Sequence, residues 1–232
     1  MAANFVKNPL IVALDLDEPA EALAMAKQLR DSAGCFKVGP RLILRSGPGL
    51  IQELAQMAPV FLDFKFYDIP STMEGALRAA FDMGVTLATI HASAGEETLK
   101  HLAGVQRELN KKRPFGILGV TVLTSVAART EAEKKSVTDR ISDLAGQVSS
   151  SGIAGLVCSA HEVAALRAKH PNLFFVTPGI RSAQDSLDDQ QRTMTAGEAI
   201  RHGSSGIVVG RPIYRSPNPA QAARSILSEL ER

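Results

Sequence analysis

VFLDFKFYDIPSTMEGALRAAFDMG, residues 60–84, contains one complete structural unit and the puzzle that decides the fold. Residues 60–65 start as a buried strand should, with apolar side chains on both faces. PSTMEGALRAAFDMG then reads as a helix. Between the two, FLDFKFYDIP (61–70) carries Asp63, Lys65 and Asp68 within six residues. Moving charge out of water is costly unless the charges are paired. A strand that looks like core therefore ends in groups that a core does not want.

Outward from this unit the same alternation repeats. Strands are expected at 10–16, 36–39, 60–65, 87–92, 115–123, 155–160, 173–179 and 206–210. Helical patterns lie between and after them, at 19–32, 40–57, 70–84, 94–112, 136–152, 159–170, 195–203 and near 218–230. In the first helix Ala22, Leu23, Ala26 and Leu29 fall on one face. Strict β-then-α order implies parallel strands joined by crossover helices. Eight such units in 232 residues, about 29 each, predict a single-domain (β/α)₈ TIM barrel over residues 1–232. The competing doubly wound open sheet usually carries GxGxxG after its first strand, whereas this chain has LDLDEP there. No linker, composition shift or low-complexity tract suggests a second domain.

Composition narrows the function classes. The chain is 45% hydrophobic and 22% charged, with a formal net charge of +2. That balance suits a soluble globular protein and argues against nucleic acid or an anionic membrane as partner. The two cysteines, Cys35 and Cys158, form no CxxC pair and are expected to be reduced, packed thiols. The N-terminal apolar run LIVAL is too short for a signal peptide, and no window approaches the roughly 18 apolar residues of a membrane span. The expected compartment is the cytoplasm.

In a barrel, functional groups gather where the strands end. The first strand ends at Asp15 and Asp17, the second carries Lys37, the third Asp63 and Lys65, and the fourth His91. The fifth runs into Thr124 and Ser125, the seventh into Thr177, Pro178 and Gly179, and the eighth into Gly210 and Arg211. Asp63 and Lys65 are two apart and so share a side of the sheet. Four charges, Asp15, Lys37, Asp63 and Lys65, converging on one rim exceed what closing a barrel requires. They are expected to line a pocket mouth. GIVVGRPI places a glycine turn and Arg211 after the last strand, which suits a phosphate. The preceding stretch 176–193 is poor in large aliphatic residues after Ile180 and reads as a loop or lid. His91 is open to a structural or a participating role, and the other four histidines fall in helical patterns. No His/Cys/Asp/Glu cluster has metal-ligand spacing.

The block Asp63, Lys65, Asp68, Ile69, Thr72 has the form DxKxxDIxxT, and it closely resembles the orotidine 5′-phosphate decarboxylase family. VALDLD, FKVGP, TIHAS, GVTVLTS, TPGIR, DQQR and VVGRPI also occur in that family's order, as in its short bacterial form. The resemblance implies a (β/α)₈ homodimer that converts orotidine 5′-monophosphate to UMP in de novo pyrimidine synthesis, with no metal or organic cofactor. It implies that Lys65 protonates C6, that Asp63 lies against the departing carboxylate, and that Lys37 joins the charge network. Asp15 and Lys37 would hold the ribose hydroxyls, and Thr124 and Ser125 would meet the pyrimidine. Pro178 would line the substrate site, while Arg181, Gln190 (or its neighbour Gln191), Gly210 and Arg211 would bind phosphate. Asp68, Ile69 and Thr72 would complete the site of a partner subunit. Two relatives in function compete. Metal-dependent sugar-phosphate decarboxylases or aldolases of the same superfamily share the third-strand DxKxxD but place Glu on the second strand, where this chain has Lys37. A non-catalytic phosphate-ligand barrel is the other.

Overall fold

The computed structural model describes residues 5–123, 130–180 and 194–230. Among these residues eight strands form one closed parallel barrel in chain order. They are β1 (Leu10–Ala13), β2 (Cys35–Val38), β3 (Val60–Phe66), β4 (Leu87–His91), β5 (Gly116–Val120), β6 (Gly155–Val157), β7 (Phe174–Thr177) and β8 (Gly206–Val209). Leu10, Ile11 and Val12 of β1 pair with Ile207, Val208 and Val209 of β8, and this pairing rules out the open sheet. The helices are α1 (Pro19–Leu29), α2 (Pro40–Ser46), α3 (Gly49–Ala55), α4 (Pro70–Asp82), α5 (Glu96–Asn110), α6 (Glu131–Ser151), α7 (Ala160–Lys169), α8 (Ala196–Arg201), α9 (Arg211–Tyr214) and α10 (Pro219–Leu230). They ring the sheet, with α10 packed against α1 where the ring closes.

Two apolar layers result from the period of two along each strand. Leu10 and Val12, Phe36 and Val38, Val60 and Leu62, and Ala88 and Ile90 join the layer between sheet and helices. Residues of opposite parity, among them Ile11, Cys35, Phe61, Leu87, Leu118, Phe174 and Val176, form a second cluster inside the barrel. Phe5 joins this inner cluster from the N-terminal segment, edge-on to Phe174 with ring centroids 5.4 Å apart. Burying each of these large side chains contributes about 1.5–3 kcal/mol.

The elements depart from the sequence expectation in three places. The helix expected over 40–57 is two helices. Gly47 has φ 70°, outside the helical region, and Pro48 supplies no N–H to continue the ladder. The helix expected from Ser136 begins earlier, at Glu131. Thr130 Oγ1 accepts the Glu133 N–H at 3.1 Å, and the Glu133 carboxylate accepts the Thr130 N–H at 3.1 Å. That reciprocal cap is the T-x-x-E signature of a helix start. All strands except β3 end one to three residues sooner than expected, so Asp15, Asp17, Pro178 and Gly210 stand just past the ladder, while Lys37, Asp63, Lys65, His91 and Thr177 remain on it. No helix among the described residues is long and apolar enough to cross a membrane.

Candidate active site

Four charged side chains, from the loop after β1 and from the neighbouring strands β2 and β3, meet at the C-terminal rim. Lys37 on β2 is buried, and its Nζ donates to Asp15 Oδ1 at 3.0 Å. The same ammonium lies 3.7 Å from Asp63 Oδ2. Lys65 Nζ donates to Asp63 Oδ1 at 2.9 Å. The row Asp15–Lys37–Asp63–Lys65 therefore alternates in sign, which answers the desolvation problem posed by the third strand. Burial pushes the Asp63 carboxyl up, but the Lys37 and Lys65 ammonium groups and hydrogen bonds from Lys65 and Thr89 outweigh it. The net effect holds Asp63 below the usual carboxylate range. Burial lowers the pKa of His91, and the Lys65 charge lowers it further. Its ring packs edge-on against Tyr67, with centroids 5.4 Å apart.

β3 bends as it delivers these groups. Its pairing with β4 shifts between Leu62 and Phe66. Lys65, at φ 52°, is the one non-glycine residue with positive φ among those described.

Two adjoining cavities open beside the charged row. One, of about 590 Å³, runs from Lys37, Asp63 and Lys65 to an apolar wall that includes Val120, Val157 and Val208. The other, of about 610 Å³, lies over Asp15, Lys37 and Asp63 and reaches Gly179, Gly210 and Arg211. Pro178 lines both. An apolar slot joined to a polar one suits a ligand with an apolar part and an anionic part. Among the described residues no group of three or more His, Cys, Asp or Glu is placed to hold a metal ion.

The family model described as Orotidine 5′-phosphate decarboxylase / HUMPS matches residues 8–226. The chain belongs to the orotidine 5′-phosphate decarboxylase / HUMPS family. It is 44% identical over 232 residues to the orotidine 5′-phosphate decarboxylase of Chromohalobacter salexigens, covering 96% of this chain and 95% of that one. Its identity to the Pseudomonas putida enzyme of the same name is 41% over 231 residues, covering 97% of each. The crystal structure of orotidine 5′-phosphate decarboxylase from Lactobacillus acidophilus matches with a TM-score of 0.83 at 31% identity, covering 97% of this chain and 100% of that one.

Within the orotidine 5′-phosphate decarboxylase / HUMPS barrel of this chain, the expected site residues fall into three groups. Asp15, Lys37, Asp63, Lys65, Pro178, Gly210 and Arg211 come together around the two cavities. Asp68, Ile69 and Thr72 do not join them. All three are exposed, none lines either cavity, and the Asp68 carboxylate accepts the N–H of Ile69 at 2.7 Å. Thr124, Ser125, Arg181, Gln190 and Gln191 lie outside the described residues, as does most of the 176–193 stretch expected to be a loop or lid.

Some rim residues have structural work instead. Thr177 turns away from the cavities, and its Oγ1 lies 3.0 Å from Ser204 Oγ. Asp17 faces Arg41 at 3.4 Å, and Arg41 also donates to the Asp15 carbonyl, tying the loop after β1 to α2. One site residue escaped the sequence reading. Thr89 on β4 hydrogen-bonds to both Asp63 and Lys65. A signal for it existed: it stands two residues before His91 and so shares its side of the sheet.

Proposed function

We propose that this chain removes CO₂ from orotidine 5′-monophosphate to give UMP in de novo pyrimidine synthesis, without metal or organic cofactor. The alternating Asp15–Lys37–Asp63–Lys65 row beside a two-part cavity carries this conclusion. Breaking the C6–carboxylate bond releases CO₂ and leaves an electron pair on C6 that the ring delocalises poorly. A fixed ammonium at that carbon stabilises the charge and then donates a proton to it. Lys65 has that role, and Asp63 accepts a hydrogen bond from its ammonium while lying against the departing carboxylate. Asp15 and Lys37 hold the ribose hydroxyls. Gly210 and Arg211, with Arg181 and Gln190, bind the phosphate, and Thr124 and Ser125 meet the pyrimidine. Phosphate contacts lie far from C6, so their binding energy serves to fix the charge array.

The same proposal includes a two-fold dimer in which Asp68, Ile69 and Thr72 complete the partner's site. Ile69 is 63% exposed and Tyr67 64%, an apolar face that a second copy would cover. A cytoplasmic location accords with Cys35 and Cys158, both free and buried, with burial raising both thiol pKa values. The test is turnover of orotidine 5′-monophosphate by protein exhaustively treated with EDTA. The expected result is UMP at an undiminished rate. Activity lost to chelation and restored by Mg²⁺ would assign a metal-dependent reaction instead. Ligand binding without turnover would assign a phosphate-ligand barrel.

A further inference from the structure

Where β3 passes β4, Leu62 pairs with Ala88 and Phe66 with Ile90. Asp63, Phe64 and Lys65 therefore stand opposite a single residue, Thr89. A bulge of this kind leaves backbone groups without ladder partners. The Lys65 N–H finds its partner in a side chain, donating to Thr89 Oγ1 at 2.9 Å. The Thr89 hydroxyl has one hydrogen to give. Asp63 Oδ1 lies 3.0 Å away and the Leu62 carbonyl 3.5 Å, so the charged and nearer acceptor takes it. Asp63 Oδ1 also accepts from Lys65 Nζ. One hydroxyl thus holds Lys65 at both ends, its main chain directly and its ammonium through Asp63. Thr89 is fully buried and lines neither cavity, so it does not reach a bound ligand.

We propose that Thr89 is a positioning residue of this site, whose single hydroxyl sets the bulged backbone of Lys65 and the orientation of Asp63, and through them the place of the reacting ammonium. The inference rests on Lys65 being the proton donor. Asp63 is faced by Lys37 from β2, by Lys65 on its own strand and by Thr89 from β4. Asp15 reaches it through Lys37, and His91 stands near Lys65. Of these, only Thr89 gives an uncharged hydrogen bond that a one-group substitution removes without changing the charge of the site.

The test compares Thr89→Val, which keeps the shape and loses the hydroxyl, with Thr89→Ser, which keeps the hydroxyl. Lys65→Ala serves as the reference. Displacing a reacting group by about 1 Å can cost on the order of 100-fold in rate, so Thr89→Val should lower kcat by about 10- to 100-fold with KM within about 3-fold. Its acid limb in the pH profile of kcat/KM should move to higher pH, because Asp63 loses a donor to its ionised form. Thr89→Ser should recover kcat to within about 3-fold, since one hydroxyl again meets both partners. If Thr89→Val does not fold, Thr89→Cys is read in its place, because its thiol is similar in size and a weak hydrogen-bonding group. Wild-type kcat and an unmoved acid limb in the hydroxyl-free variant, with Lys65→Ala inactive, would overturn the role of Thr89 and leave the proposed function standing. Equal losses in Thr89→Val and Thr89→Ser would also overturn it, in favour of packing. Turnover by Lys65→Ala would overturn both.

Discussion

Lys65 is held in a backbone conformation that lysine rarely adopts. Its φ of 52° belongs to the left-handed region, where a non-glycine residue carries about 1–3 kcal/mol of strain. Such strain persists only where the surroundings over-determine it. Here the Lys65 N–H is bound to Thr89 and the ammonium to Asp63, so both ends of the residue are fixed. A long, flexible side chain is thereby given one position, which in the proposed reaction would lower the reorganisation that charge stabilisation requires. Lys65→Ala should lower kcat by at least about 10³-fold, the scale of a lost proton donor. Its circular dichroism should be unchanged, since the residue is partly exposed and outside the apolar clusters. A near wild-type kcat would remove Lys65 from the chemistry.

At the scale of elements the barrel separates its two ends. The C-terminal ends of β1, β2 and β3 deliver charge, while the N-terminal ends are closed by aromatic packing. Gly116 opens β5 at that closed end. A Cβ there would lie 2.9 Å from Leu87 Cδ2 and 2.9 Å from the Phe5 ring. The glycine is therefore what lets Phe5 seat under the barrel. Gly116→Ala should destabilise the protein by about 1–3 kcal/mol through overpacking, measured by urea unfolding. Turnover of the folded variant should stay within about 2-fold, because residues at this end of a barrel serve stability rather than chemistry. Unchanged unfolding would mean that Phe5 yields its place at no cost and does not hold the barrel floor.

For the whole molecule the question is whether one chain makes one site. Asp68 and Ile69 sit on the exposed turn from β3 into α4 and Thr72 in the first turn of α4, outside the cavities that Asp63 and Lys65 enter. In the proposed two-fold dimer they serve the neighbour. Asp68→Ala and Lys65→Ala should then each be nearly inactive alone and recover when mixed under conditions of subunit exchange. A mixed dimer has one site with both lesions and one with neither. Equal amounts give about half mixed dimers, so activity should return to roughly a quarter of wild type, by the logic of a closed two-fold interface. Exchange confirmed by mass spectrometry without recovery would place Asp68 in the service of its own chain.

Much of this architecture follows from the order of residues alone. Apolar runs that suit strands covered on both faces alternate with helical patterns eight times, and chain connectivity then requires parallel strands. The inward parity of Asp63 and Lys65 follows from their spacing of two, and it survives even in the bulge. Local signals also mark the elements that differ from the periodic pattern: Gly47–Pro48 breaks the helix over 40–57, and Thr130–Glu133 starts α6. Three things needed the folded molecule. The register in which β8 closes on β1, in a barrel that the eight-unit count already predicts, is one, because sheet twist and helix packing accumulate it over all eight units. The distances joining Asp15, Lys37 and Asp63 are another, since these residues are far apart in sequence and meet only through strand pairing. The last is the register of β3 on β4, which sets three residues against Thr89 and turns Lys65 into its left-handed conformation. Register is chosen by the packing of both strands at once, and no local propensity of either strand encodes it.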